Sequence, residues 1–129
     1  MADHKVFISY SQPDFEWARS FASALQQQGV PVWFDQFEIA PGESLRDALE
    51  SGLRESDIFV TVVNPAHPAR PTLFFELGAA IGLNKRVVAI VPKDFDVAQL
   101  PLEFRLRKYL LRDTPEETAN ELSHALTAA

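Results

Sequence analysis

Asp57-Ile58-Phe59-Val60-Thr61-Val62-Val63 is the most apolar strand-like run in the chain, and its reading decides the fold. A strand with one wet face alternates apolar and polar residues. A near-continuous apolar run is buried on both faces, as at the centre of a parallel sheet. Parallel strands need long crossovers, so helical patterns should lie on either side in sequence. They do.

Upstream, Lys5-Val6-Phe7-Ile8-Ser9 reads as a first strand, and Ser11-Gln12-Pro13-Asp14 as a turn with a helix N-cap. Phe15, Ala18, Phe21, Ala22 and Leu25 follow at helical spacing, with Gly29 as a left-handed closing residue. Val30-Pro31-Val32-Trp33-Phe34 reads as a second strand whose proline places it at an edge or at a strand entry. A loop with Pro41-Gly42 leads to Ser44 as a cap, then to a helix with Leu45, Ala48, Leu49, Gly52 and Leu53 on its apolar face.

Downstream, three prolines (Pro65, Pro68 and Pro71) stiffen a loop before a helix that runs to about Leu83. Arg86-Val87-Val88-Ala89-Ile90-Val91 is a fourth strand, residues 92–105 read as irregular, and Lys108-Tyr109-Leu110-Leu111 is a short fifth strand. Thr114-Pro115-Glu116-Glu117 opens a last helix, with proline at its first position and acids near its positive end. The alternation predicts an α/β domain: a five-stranded parallel sheet with helices on both faces. In such sheets ligands bind beyond the carboxyl ends of the strands, where the loops after Ser9, Phe34 and Val63 open.

Composition bounds the function. A chain of 129 residues is sized for one domain, and its net charge of -6 argues against an electrostatic grip on nucleic acid. With no cysteine, the sequence has no disulfide, thiolate metal site or cysteine nucleophile, and a reducing, cytoplasmic location fits. His4, His67 and His124 lie far apart and show no metal-ligand spacing. No signal pattern precedes the first strand and no segment approaches the length of a membrane span. There is no glycine-rich dinucleotide fingerprint, no phosphate loop and no Ser/His/Asp order on recognisable elbows.

One residue breaks the apolar pattern. Glu76 lies in Thr72-Leu73-Phe74-Phe75-Glu76-Leu77-Gly78-Ala79-Ala80, a lone carboxylate in an apolar helix start. An ionised group there loses solvation unless it faces a cleft. The plainer alternative is a carboxylate favouring the positive end of its helix. Tyr10 and Ser11 follow the first strand at the ligand edge, where an aromatic ring can stack on a base, or else form an ordinary strand-to-helix turn. Trp17 and Trp33 read as core, and Arg70 as surface.

Phe7-Ile8-Ser9-Tyr10-Ser11, Trp33-Phe34-Asp35, Pro41-Gly42 and Phe75-Glu76-Leu77-Gly78 together resemble a TIR domain (Toll/interleukin-1 receptor type) over residues 5–126. The resemblance implies a flavodoxin-like five-stranded parallel sheet. Members of that family either signal by assembly or cleave NAD at the nicotinamide–ribose bond, and Glu76 occupies the position of the catalytic glutamate. Tyr10, Ser11, Asp35, Phe37 and Glu38 are then the expected NAD+-binding residues, with no metal and no separate cofactor. Thr72 departs from the tryptophan that enzymatic relatives often carry there, and Phe37, with Glu38 beside it, from a carboxylate.

The expectation is therefore an assembly-activated NAD+ hydrolase, with cyclisation as a second outcome, acting in antiviral defence or cell-death signalling. Self-association would run through TIR–TIR contacts at residues 35–43, and residues 1–129 would be the N-terminal effector of a larger protein with a C-terminal sensor. Two alternatives stay open: a non-enzymatic scaffold, and a nucleoside glycosyl-transferring enzyme.

Overall fold

The computed structural model describes residues 5–34, 42, 45–64, 85–99 and 109–127. Their order is β1 (Val6–Ser9), a 3-10 turn (Gln12–Asp14), α1 (Phe15–Gln27), β2 (Val32–Trp33), α2 (Leu45–Glu55), β3 (Ile58–Val62), β4 (Arg86–Val91), a second 3-10 turn (Val97–Gln99), β5 (Leu110–Leu111) and α3 (Pro115–Thr127). The five strands form one sheet in the order β2-β1-β3-β4-β5. Every pairing is parallel.

β3 is the middle strand, and all of its residues are buried, as the opening run requires. Strand alternation splits its side chains between two cores. Ile58, Val60 and Val62 join Val6, Ile8 and Ile90 beneath α1 and α3, which pack along one another through residues such as Phe21, Leu25, Ala119 and Leu122. Phe59 and Val63 join Phe7, Trp33, Val87 and Ala89 on the opposite face, with Leu53 of α2. Helices thus cover both faces. Phe7 organises the second core, with its ring 4.7 Å from Trp33 at 8° and 5.8 Å from Phe59.

Local signals explain the element ends. Gly29 has φ +82°, the left-handed backbone expected at the close of α1, and Val30 N–H returns to Leu25 O at 3.0 Å. Gly42 has φ +88°, left-handed backbone that glycine adopts without strain. β2 is an edge strand entered by Pro31, whose carbonyl accepts from Val6 N–H at 2.9 Å. Its ladder is shorter than the expected residues 30–34, because only Val32 and Trp33 pair with β1. α3 begins with a capping bond from Glu117 N–H to Thr114 Oγ1 at 3.1 Å, and Pro115 is its first residue. Ser44, the expected cap of α2, and the expected helix of residues 72–83 lie outside the described residues.

One expectation is corrected. The N-cap expected within residues 11–14 does not form: neither Ser11, before the 3-10 turn, nor Asp14, before α1, makes a side-chain cap hydrogen bond. The Asp14 carboxylate turns instead to Arg112, 98 residues away, and the ion pair outcompetes the local cap.

Candidate functional site at the carboxyl edge of the sheet

From β1 the chain goes to its neighbour on one side, β2, and then crosses to its neighbour on the other, β3. This reversal is the topological switch point where doubly wound sheets take ligands. Ser9 and Thr61 stand in register across it, and Ala89 continues the row on β4. On the same sheet face, the preceding row is Phe7, Phe59 and Val87. The sheet's own side chains therefore fall from large to small at the ligand edge. Thr61 is wholly buried, and its Oγ1 has no hydrogen-bond partner among the described residues. Ser11, in the loop after β1, is half-buried, and its Oγ is likewise shut from solvent with no partner among them. Buried hydroxyls of this kind are groups that a bound molecule or water can satisfy.

Tyr10 leaves β1 half-buried and packs on Phe34, the wholly buried residue that follows β2, with ring centroids 5.1 Å apart at 23°. Phe15, at the start of α1, closes the trio at 6.1 Å from Tyr10 and 6.3 Å from Phe34. One face of Tyr10 is thus used by Phe34. The turn after Tyr10 is fixed by Asp14 N–H donating to Ser11 O at 2.8 Å, with Pro13 inside it.

The far end of that turn is anchored across the molecule. Arg112 Nη1 donates to Asp14 Oδ1 at 2.8 Å, with side chains 24% and 9% exposed. The Arg112 guanidinium lies 4.8 Å over the Trp17 ring, while Trp17 Nε1–H donates to Asp113 O at 2.9 Å. The Asp113 carboxyl is held below its ordinary pKa of 3.8, first by the backbone N–H of Thr114 and next by the charge of Lys93. The distances agree: Thr114 N to Asp113 Oδ1 is 2.8 Å, and Lys93 Nζ to Asp113 Oδ2 is 3.6 Å.

Of the residues expected at the site, the fold brings Tyr10 and Ser11 to the switch point. Asp35, Phe37, Glu38 and Glu76 lie outside the described residues. No group of three metal-ligating side chains occurs among the described residues. A cavity of about 320 Å³ lies elsewhere, between Arg86, Val88 and Leu110 of the sheet and Leu122 and Leu126 of α3. It reaches the amino end of β4, away from the switch point. Sequence reading missed Thr61 as an orphaned hydroxyl, and Arg112. The parity of Thr61 with Phe59 could have flagged the first; no local pattern marks the second.

The family model for the TIR domain matches residues 6–126. The chain belongs to the TIR domain family. It is 41% identical over 129 residues to the 2' cyclic ADP-D-ribose synthase AbTIR of Acinetobacter baumannii, covering 96% of this chain and 48% of that protein. It is 34% identical over 62 residues to the NAD(+) hydrolase PdTIR of Paracoccus denitrificans, covering 47% of this chain and 21% of that protein. This TIR domain thus spans half or less of the curated relatives it matches. Among solved structures, the TIR domain of the Toll-related receptor TRR-2 from Hydra magnipapillata superposes with a TM-score of 0.67 at 20% identity, covering 82% of each chain. That likeness carries the fold.

Proposed function

We propose that this TIR domain cleaves NAD+ at the nicotinamide–ribose bond, with Glu76 as the essential carboxylate. The observation that carries the reading is the 41% identity, over nearly the whole chain, to a protein named as a cyclic ADP-ribose synthase. The similarity to a second protein named as an NAD(+) hydrolase supports the same bond as the target. The switch point, with Tyr10 and Ser11 beside it, supports the place.

The chemistry needs few groups. As the C1′–N bond breaks, its electron pair leaves with nicotinamide, already a good leaving group as a pyridinium, and positive charge develops on the ribose. A carboxylate beside that carbon stabilises the cation or orients the ribose hydroxyls. Water then adds to C1′ and loses a proton to give ADP-ribose, or an internal hydroxyl adds to give a cyclic form. NAD+ is the substrate, and no further cofactor takes part. Tyr10 and Ser11 line the nucleotide in this reading, and Asp35, Phe37 and Glu38, which follow β2 in sequence, contact it as well.

The domain acts, we infer, as the effector of a longer cytoplasmic protein whose C-terminal region senses the signal and gathers TIR domains into an active array. The greater length of the Acinetobacter relative is consistent with a further region. Among the described residues, no helix is long and apolar enough to cross a membrane. A role in antiviral defence or cell death follows if NAD+ is consumed on assembly. Chromatography of NAD+ incubated with concentrated protein tests the reading: nicotinamide release supports it, and intact NAD+ refutes it in favour of a non-enzymatic scaffold.

A further inference from the structure

We propose that Arg112, Asp14 and Trp17 form a positioning clamp that sets Tyr10 and Ser11 for nucleotide binding. The proposal rests on the reading of those two residues as part of the NAD+ site. Three observations carry it.

The ion pair is built for position. Asp14 is 8% exposed, and its second carboxylate oxygen, Oδ2, is buried with no hydrogen-bond partner among the described residues. Its buried carboxylate therefore depends on Arg112, and a buried charge that loses its partner must move toward water. Arg112 is itself held on two sides. Its backbone N–H donates to Val91 O at 2.6 Å, continuing the β4–β5 ladder, and its guanidinium lies over the Trp17 ring.

The link from Asp14 to the ligand edge is short and stiff. Asp14 N–H bonds Ser11 O within a single 3-10 turn, and Pro13 fixes one of the intervening backbone angles. A displacement at Asp14 is passed to Ser11 and Tyr10 rather than absorbed.

The clamp also ties distant parts of the sheet. Arg112 follows β5 at one edge, whereas Tyr10 and Ser11 follow β1, with β3 and β4 lying between. Trp17 adds the return bond, donating Nε1–H to Asp113 O from the first turn of α1. The loop after β1 is therefore held by the opposite edge of the sheet, as a preorganised binding loop should be.

The test is steady-state NAD+ cleavage by the intact protein, at a temperature where circular dichroism shows each variant folded. Arg112→Met keeps an unbranched side chain and removes the charged group that lies over Trp17 and bonds Asp14. It should raise KM about tenfold with kcat within about threefold, the signature of lost uniform binding. Arg112→Lys restores a cation for Asp14 but not the planar group over Trp17, and should bring KM part of the way back, at least about threefold below that of Arg112→Met. Should Arg112→Met fail to fold, Asp14→Asn, of nearly the same shape, takes its place with the same expected rise in KM. A folded variant that has lost stability but keeps the wild-type KM overturns the clamp and leaves a merely structural ion pair. Wild-type protein that fails to release nicotinamide refutes the NAD+ reading itself, and the clamp's role falls with it.

Discussion

Gly52 lies against the indole of Trp33 with no room for a side chain: a β-carbon at residue 52 would sit 2.6 Å from both Trp33 Cδ2 and Trp33 Nε1. Helix α2 approaches the sheet this closely because the residue facing Trp33 is glycine. Trp33 cannot swing aside, since it is 4% exposed and stacked on Phe7.

Gly52→Ala is therefore expected to destabilise the domain. Glycine to alanine inside a helix ordinarily gains about 0.5–1 kcal/mol, whereas overpacking a tight core costs about 1–3 kcal/mol. Here the clash wins. A fall in the thermal unfolding midpoint is expected, and a rise would contradict the packing of α2 on Trp33.

Stability should weaken in acid partly through Asp113. Its carboxyl pKa is lowered from 3.8 in the fold, so its contribution is present above that value and is lost as pH falls through the lowered folded one. The midpoint difference between wild type and Asp113→Asn should hold steady near neutrality and shrink below pH 3.8. A difference that stays flat through that acid range would show that the Thr114 and Lys93 contacts do not favour the carboxylate.

Tyr10 should serve through its ring. Its packing on Phe34 sets the ring's place, so Tyr10→Phe should keep KM for NAD+ within about threefold, while Tyr10→Ala raises it about tenfold. Equal KM values for both variants and wild type would remove Tyr10 from the nucleotide site.

The elements that were legible in the sequence are those set by local chemistry. The unbroken apolar run of residues 57–63 gave away the central strand, Gly29 the end of α1, Pro31 the edge position of β2 and Pro115 the start of α3. The fifth strand was found, but Tyr109 lies before it, because pairing with Ile90 and Val91, not propensity, decides that Leu110 and Leu111 form the strand. Asp14 misled for a similar reason. A carboxylate before a helix caps it by default, and only the folded chain brings Arg112 within reach. At the site, Tyr10 and Ser11 could be placed because they directly follow a strand at the ligand edge. Thr61 looked like one more β-branched core residue until its register with Ser9 put a hydroxyl at the switch point.

Activity is expected to require assembly through residues 35–43. Phe37 and Ile39 are apolar residues in a stretch of sequence otherwise rich in polar and turn-forming residues, a composition that often marks a partner surface. Phe37→Ala or Ile39→Asp should lower sedimentation-detected self-association and NAD+ cleavage together. A strictly monomeric preparation that turns over NAD+ at full rate would refute the link.

The central claim is that Glu76 carries NAD+ cleavage, and the most direct measurement is nicotinamide release by wild type and Glu76→Gln at equal, high protein concentration. The substitution keeps the side chain's shape and removes the charge that stabilises the ribosyl cation. Release by wild type and a loss of about a hundredfold or more in the variant, with its circular dichroism unchanged, is the predicted result. A folded Glu76→Gln protein that retains more than about a tenth of the wild-type rate would contradict it.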